Sequence, residues 1–159
     1  MNTRELKKII SGGKRILLVG IGNVLRRDDG IGVYIVQRIK ESAWLSKLVV
    51  EVSLENYIRV INRKAPDLLI LVDCLDFGKW PGYSKMLSLE QIREDAVHSH
   101  HLTLSKVSEF FAMPVYVLGI QPGNIKVGEE MTREVTDAGA RLIRFFHTLT
   151  GACCTIESQ

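Results

Sequence analysis

The chain has 159 residues, 46% of them hydrophobic and 25% charged, with 21 basic against 18 acidic side chains and a formal net charge of +3. That suits one globular domain with a full core, and the mild, mixed charge argues against nucleic acid as a partner. No apolar run is long enough to insert in a membrane, Met1 to Lys14 carries charges in place of a signal-peptide core, and Cys74, Cys153 and Cys154 have no disulfide or C-x-x-C spacing, so a cytoplasmic protein is expected.

In chain order, Glu5 to Ile10 reads as a short helix ended by Ser11-Gly12-Gly13. Residues 1–14 form an N-terminal extension to a domain that occupies the whole of 1–159, and 151–159 form a tail. Arg15 to Val19 is a buried strand, because Ile16 to Val19 are apolar without alternation. The following helix carries Ile31, Tyr34, Ile35 and Ile39 on one face. Leu48 to Val52 is expected as a second strand, Glu55 to Arg63 as a helix ended by Pro66, and Asp67 to Val72 as a third strand closed by Asp73. A turn at Gly78, Pro81 and Gly82 precedes a strand at Ser84 to Leu89 and a helical turn at Glu90 to Asp95. A helix over Leu104 to Ala112 stops before Pro114, a strand covers Pro114 to Leu118, and Gly119 to Asn124 reads as a loop. The last helix spans Thr132 to Leu149. Strands alternating with helices predict a three-layer α/β/α fold around a largely parallel twisted sheet of about five strands.

Chemistry-bearing residues collect where these strands end. Gly20-Ile21-Gly22 is followed by Asp28 and Asp29, not by the third glycine of a dinucleotide fingerprint. Acids there would repel a phosphate; they either cap the next helix or face a cleft, and one can do each. Asp73 is either a turn residue or a carboxylate set at the end of a buried strand. His98, His100 and His101 crowd one polar stretch, either as an exposed loop or as imidazoles beside the carboxylates, a ligand set suited to zinc or nickel. Neither the zinc-peptidase helix motif nor a G-x-S-x-G elbow is present. Trp80, in a turn, reads as a packing residue or a partner contact, and Cys153-Cys154 as incidental.

Taken together, these segments resemble the hydrogenase maturation endopeptidases, which trim the large subunit of nickel–iron hydrogenases. The family pattern G-x-G-N-x-L-x-x-D-[DE]-x-x-G matches Gly20 to Gly32 at every fixed position. Its D-A-x-D-x-G followed by P-G is similar to Asp73 to Gly78 with Pro81-Gly82. Its histidine before x-L-[SG]-L is similar to His100 to Leu104, and its L-G-[IV]-x-P to Leu118 to Pro122. The form of these motifs is nearest the branch that serves hydrogen-evolving, membrane-associated hydrogenases. One segment departs: where the family has a Gly-Gly-[TS] turn after the second strand, this chain has Glu51 to Asn56, with Ser53 alone in common.

The resemblance implies an aspartic-type or nickel-assisted endopeptidase that removes the C-terminal extension of a large-subunit precursor after nickel insertion. It implies Asp29, Asp73 and His100 as the metal-contacting and catalytic residues, with His98 and His101 as lesser candidates and Asn23 and Asp76 as residues that orient the loops. The nickel arrives with the substrate, so no permanently bound cofactor is expected, and a monomer would leave the cleft open to a large partner. If Asp29 and Asp73 lie close, one of them should hold its proton longer. A non-catalytic metal-checking chaperone and a nucleotide-binding α/β domain are the alternatives.

Overall fold

The computed structural model describes residues 3–51, 53–94, 104 and 106–151. Among them, five strands form one sheet: β1 (Ile16–Ile21), β2 (Leu45–Val50), β3 (Leu68–Cys74), β4 (Ser84–Ser88) and β5 (Val115–Ile120). Their order is β2-β1-β3-β5-β4. All neighbours are parallel except β4, which pairs antiparallel to β5 at one edge. The expected three-layer arrangement with a largely parallel sheet is therefore observed.

Both faces of the sheet are covered, which is why the central strands read as unbroken apolar runs. Alternate residues of β3 feed two separate cores. Leu68, Ile70 and Val72 pack with α1 (Thr3–Ile10), α2 (Ile31–Arg38) and α5 (Arg133–Thr150), where Leu6, Ile35 and Phe146 are almost fully buried. Leu69 and Leu71 pack on the other side with α3 (Ile58–Lys64) and α4 (Leu89–Glu94), through Ile61 and Ile92. By the same period-2 alternation, Asp73 continues the face of Leu69 and Leu71, and Cys74 packs against the first core.

Some boundaries differ from those read in the sequence. The second strand starts at Leu45 and ends at Val50, not Leu48 to Val52. It is an edge strand with four half-buried central residues, so its pattern carries little contrast. β1 runs on to Ile21, and β5 includes Gly119 and Ile120, which pair with Asp73 and Cys74. The helix expected from Glu55 begins as a 3₁₀ turn, Leu54–Tyr57, before α3.

The order of strands places the site. β1 leads through α2 to β2 on one side, and the chain then returns through α3 to β3 on the other side of β1. Such a reversal leaves a crevice between the carboxyl ends of two adjacent parallel strands, where open α/β sheets place their ligands. Here the crevice lies between β1 and β3. Gly32, in the first turn of α2, sits so close to the Val72 and Ile21 carbonyls that a Cβ would collide with both. A glycine there lets the helix press into the crevice.

Candidate active site

The loop after β1 delivers the first acid. Gly22 has φ of +140°, and a Cβ on it would strike the Asp29 carbonyl, so only glycine lets the 3₁₀ turn Arg27–Gly30 fold back against the strand end. Asn23 shapes the bend twice: its Oδ1 accepts the Leu25 N–H at 2.9 Å, and its own N–H donates to Asp29 Oδ2 at 3.1 Å. Asp29 is half-buried and lines the cleft.

Asp28 does something else. It is fully buried, and its carboxylate accepts hydrogen bonds from the Gly123, Asn124 and Thr132 N–H groups and from the Thr132 hydroxyl, at 2.7 to 3.0 Å. Neither acid caps α2, whose N-cap is Gly30 without a side-chain bond. The capping expectation therefore fails for the neighbouring helix. Asp28 instead neutralises the start of α5, a helix from the far end of the chain. Because that carboxylate already fills the cradle of amide donors, a nucleotide phosphate has no place on it.

The second acid comes from β3. Asp73 is half-buried, and its Oδ1 accepts the Cys74 N–H at 2.7 Å. Burial and the negative charge of Asp29 together outweigh that bond, so its carboxyl is pushed up to about 7. Asp73 thus feels the charge of Asp29, 44 positions away in sequence, across the crevice. The Cys74 thiol is raised well above its ordinary value by burial and then by Asp73, which keeps it protonated and unreactive.

Asp29 and Asp73 share a cleft of about 310 Å³ with Asn23, Arg26, Ser53 and Leu104. Glu51 and Glu55 also line it, and sequence reading gave neither a role. Their presence reflects the departing loop after β2. Ser53 adopts a left-handed conformation, φ +66° and ψ +66°, of the kind a glycine would take without strain. A larger cavity of about 400 Å³ lies around α1, between Lys7, Ile10, Trp44 and Leu149. No acid, histidine or cysteine lines it, so it carries no hydrolytic chemistry.

The loop after β3 is held by the glutamine of the Leu118 to Pro122 segment. Gln121 is 6% exposed, and its Oε1 accepts the N–H groups of Phe77 and Lys79 at 2.6 and 3.2 Å. Its Nε2 donates to Asp76 Oδ1 at 3.0 Å, and the same oxygen accepts the Gly78 N–H at 2.9 Å. Asp76 therefore orders the loop, as expected of it. Trp80 is 66% exposed and meets Tyr83 edge-on, with ring centroids 5.2 Å apart.

His98, His100 and His101 lie outside the described residues. Leu104, four positions after His100, is described, and it lines the cleft beside Asp73. Among the described residues no cluster of three or more histidines, cysteines and acids could hold a metal ion. Nor, among them, is any helix long and apolar enough to cross a membrane.

Comparison with known proteins gives this arrangement its context. Residues 52–148 match the family described as hydrogenase maturation protease, HycI. That span contains Asp73, His100 and Gln121 and begins after the first acidic loop. The hydrogenase 3 maturation protease of Escherichia coli K12 is 26% identical over 129 residues, which is 77% of this chain and 82% of that one. The crystal structure of the [NiFe] hydrogenase maturation protease HycI from Thermococcus kodakarensis superposes with a TM-score of 0.80 at 26% identity, covering 92% of this chain and 99% of that one. The hydrogenase maturating endopeptidase HybD from E. coli shares the fold, with a TM-score of 0.70 at 21% identity over 85% of this chain and 91% of its own. With the family match covering more than half of its length, the chain belongs to the hydrogenase maturation proteases, a family of peptidases.

Proposed function

We propose that the protein cuts the C-terminal extension from the large-subunit precursor of a nickel–iron hydrogenase once nickel is in place, and that Asp29, Asp73 and His100 contact that substrate nickel. The branch that serves hydrogen-evolving, membrane-associated hydrogenases is the proposed setting, with the protein acting as a cytoplasmic monomer. The observation that carries this reading is the pairing of Asp29 and Asp73 at the β1–β3 crevice, where Asp73 is raised to about 7 by burial and by its partner's charge.

The chemistry follows from that pairing. Two carboxylates and the His100 imidazole make an open site that binds a cation weakly on its own. Nickel already held by the precursor brings its own ligands, and the acids complete its shell while drawing the adjoining peptide into the cleft. Metal loading then becomes the condition for positioning, and positioning alone contributes up to roughly 7–11 kcal/mol in the best intramolecular cases. A carboxyl titrating near neutrality can take a proton from the attacking water and return it to the leaving amine. Nickel beside the scissile carbonyl would polarise it and support the same attack. Both routes use Asp29 and Asp73, and neither needs a resident cofactor.

The test is mass spectrometry of a cognate precursor incubated with the protein, with and without nickel loading. Loss of a C-terminal peptide from the loaded precursor alone is the expected result. Equal cleavage of both samples would remove nickel from the reading, and an intact precursor in both would remove the reading itself.

A further inference from the structure

The loops that follow β1 and β5 are joined along their backbones. Arg27 donates its N–H to the Gly128 carbonyl at 2.8 Å, Gly128 to Leu25 at 2.9 Å, and Asp28 to Asn124 at 3.1 Å. The Asp28 carboxylate locks the same junction from below through Gly123 and Asn124. This frame turns four large apolar side chains outward: Val24 at 42% exposure, Leu25 at 59%, Ile125 at 42% and Val127 at 83%. Those are four of the seven exposed large hydrophobics among the described residues. Apolar residues scattered singly over a surface are ordinary, but a cluster on one rigid element marks a contact surface.

We infer that this apolar rim docks the folded body of the precursor, seating an apolar surface with an acidic margin next to the extension that enters the cleft. The inference rests on the reading that a folded protein precursor is the substrate. Three observations select this occupant. The rim is continuous with the cleft, because Asn23, Arg26 and Asp29 of the same loop line it. The exposed side chains of Arg26 and Lys126 sit next to the apolar residues and complement an acidic margin there, while the exposed Glu129 and Glu130 follow beyond Gly128. Four exposed apolar side chains make a small patch beside the roughly 800 Å² per partner that a stable complex buries, which suits a transient enzyme–substrate contact rather than a dimer of this chain. Since the backbone is already pinned, docking on it costs little ordering entropy.

The test uses the full chain with Ile125→Glu and Val127→Glu combined, two exposed positions outside the catalytic set, and with Ile125→Leu and Val127→Ile as the conservative pair. Biolayer interferometry on immobilised, nickel-loaded precursor reads docking without turnover, and steady-state processing reads KM and kcat. The expected result for the glutamate pair is a loss of affinity and a rise in KM of about tenfold or more, with kcat at saturation within about twofold and unfolding in urea unchanged. The conservative pair should behave as the wild type. Unchanged affinity in the glutamate pair would overturn the inference, as would a fall in kcat at constant KM. A wild-type dimer that the glutamates dissociate would reassign the rim to self-association and overturn it too. If the wild type binds through the rim yet cleaves nothing, the docking inference stands and the proposed function falls.

Discussion

Asp28 and Thr132 meet across 104 positions of sequence: Asp28 Oδ1 accepts the Thr132 N–H at 2.7 Å, and Oδ2 accepts its hydroxyl at 3.0 Å. Thr132 is the N-cap of α5, so the carboxylate stands where the dipole of an 18-residue helix favours an anion. The same side chain binds the loop after β5 and thereby fixes the height of the loop after β1. Asp29, the next residue, turns the other way and lines the cleft. Two consecutive acids are thus divided between holding the site together and furnishing it.

That division predicts opposite outcomes for neighbouring substitutions. Asp28→Ala leaves three amide groups and a hydroxyl without their buried acceptor, and should cost about 2–4 kcal/mol of stability. Asp28→Asn keeps an acceptor oxygen and should fall between the two. Urea unfolding of the three proteins checks this, and full stability in Asp28→Ala would contradict the structural role.

Asp29→Ala removes a half-buried side chain whose carboxylate accepts from the Asn23 N–H. Its stability should stay within about 1 kcal/mol of the wild type. Its processing rate on a nickel-loaded precursor should fall by about 10³-fold or more, in the range of a lost catalytic acid or base. The rate of mass loss from the precursor reads the effect, and normal cleavage by a well-folded Asp29→Ala would remove that residue from the site.

The contrast between these acids also marks what the sequence discloses. β1 and β3 were legible because both faces of a central parallel strand are covered, which leaves Ile16 to Val19 and Leu68 to Val72 without polar interruptions. Helices α2 and α5 were legible from one-sided periodicity. The edge strand β2 was displaced because Ser46 to Val49 are only half-buried and carry no strong pattern. At the cleft, the motif and the strand end pointed to Asp29 and Asp73, which the fold brings together there, because local backbone constraint and chemistry coincide. The partners of Asp28 were not legible, since nothing local relates it to residues some hundred positions away. Glu51 and Glu55 were missed for the converse reason: they occupy the loop where this chain leaves the family pattern, and only the fold brings them to the cleft.

Gln121 supports the β3 loop from beneath, with its carbonyl on two amide groups and its amide on Asp76. Gln121→Ala should therefore cost about 1–3 kcal/mol through unsatisfied buried donors, and should lower processing through disorder at Asp76 to Lys79. Gln121→Glu preserves the acceptor but sets a second negative charge against Asp76. It should lose stability as pH rises, whereas the alanine variant should not show that added dependence. Unfolding curves for both across pH, set beside processing rates, separate the lost bond from the added charge.

Asp73 gives the clearest dependence on pH. Its carboxyl rises from 3.8 to about 7 on folding, chiefly through burial, with the Asp29 charge adding to it and the Cys74 N–H opposing. A raised carboxyl binds its proton more tightly in the folded chain than in the unfolded one. Its contribution is therefore fully present below the unfolded value and is lost as pH climbs through about 7. Asn cannot ionise and escapes that loss. Asp73→Asn should be more stable than the wild type by about 1–3 kcal/mol above about pH 8, and should show no such gain near about pH 4. Urea midpoints at the two pH values check the sign. A variant less stable than the wild type in alkali would mean that Asp73 is held as an anion by a cationic partner, leaving no reason for its proton to persist near neutrality. The expected sign instead describes a carboxylate that strains the fold where it stands, which a peptidase would tolerate at the position where a proton has to move.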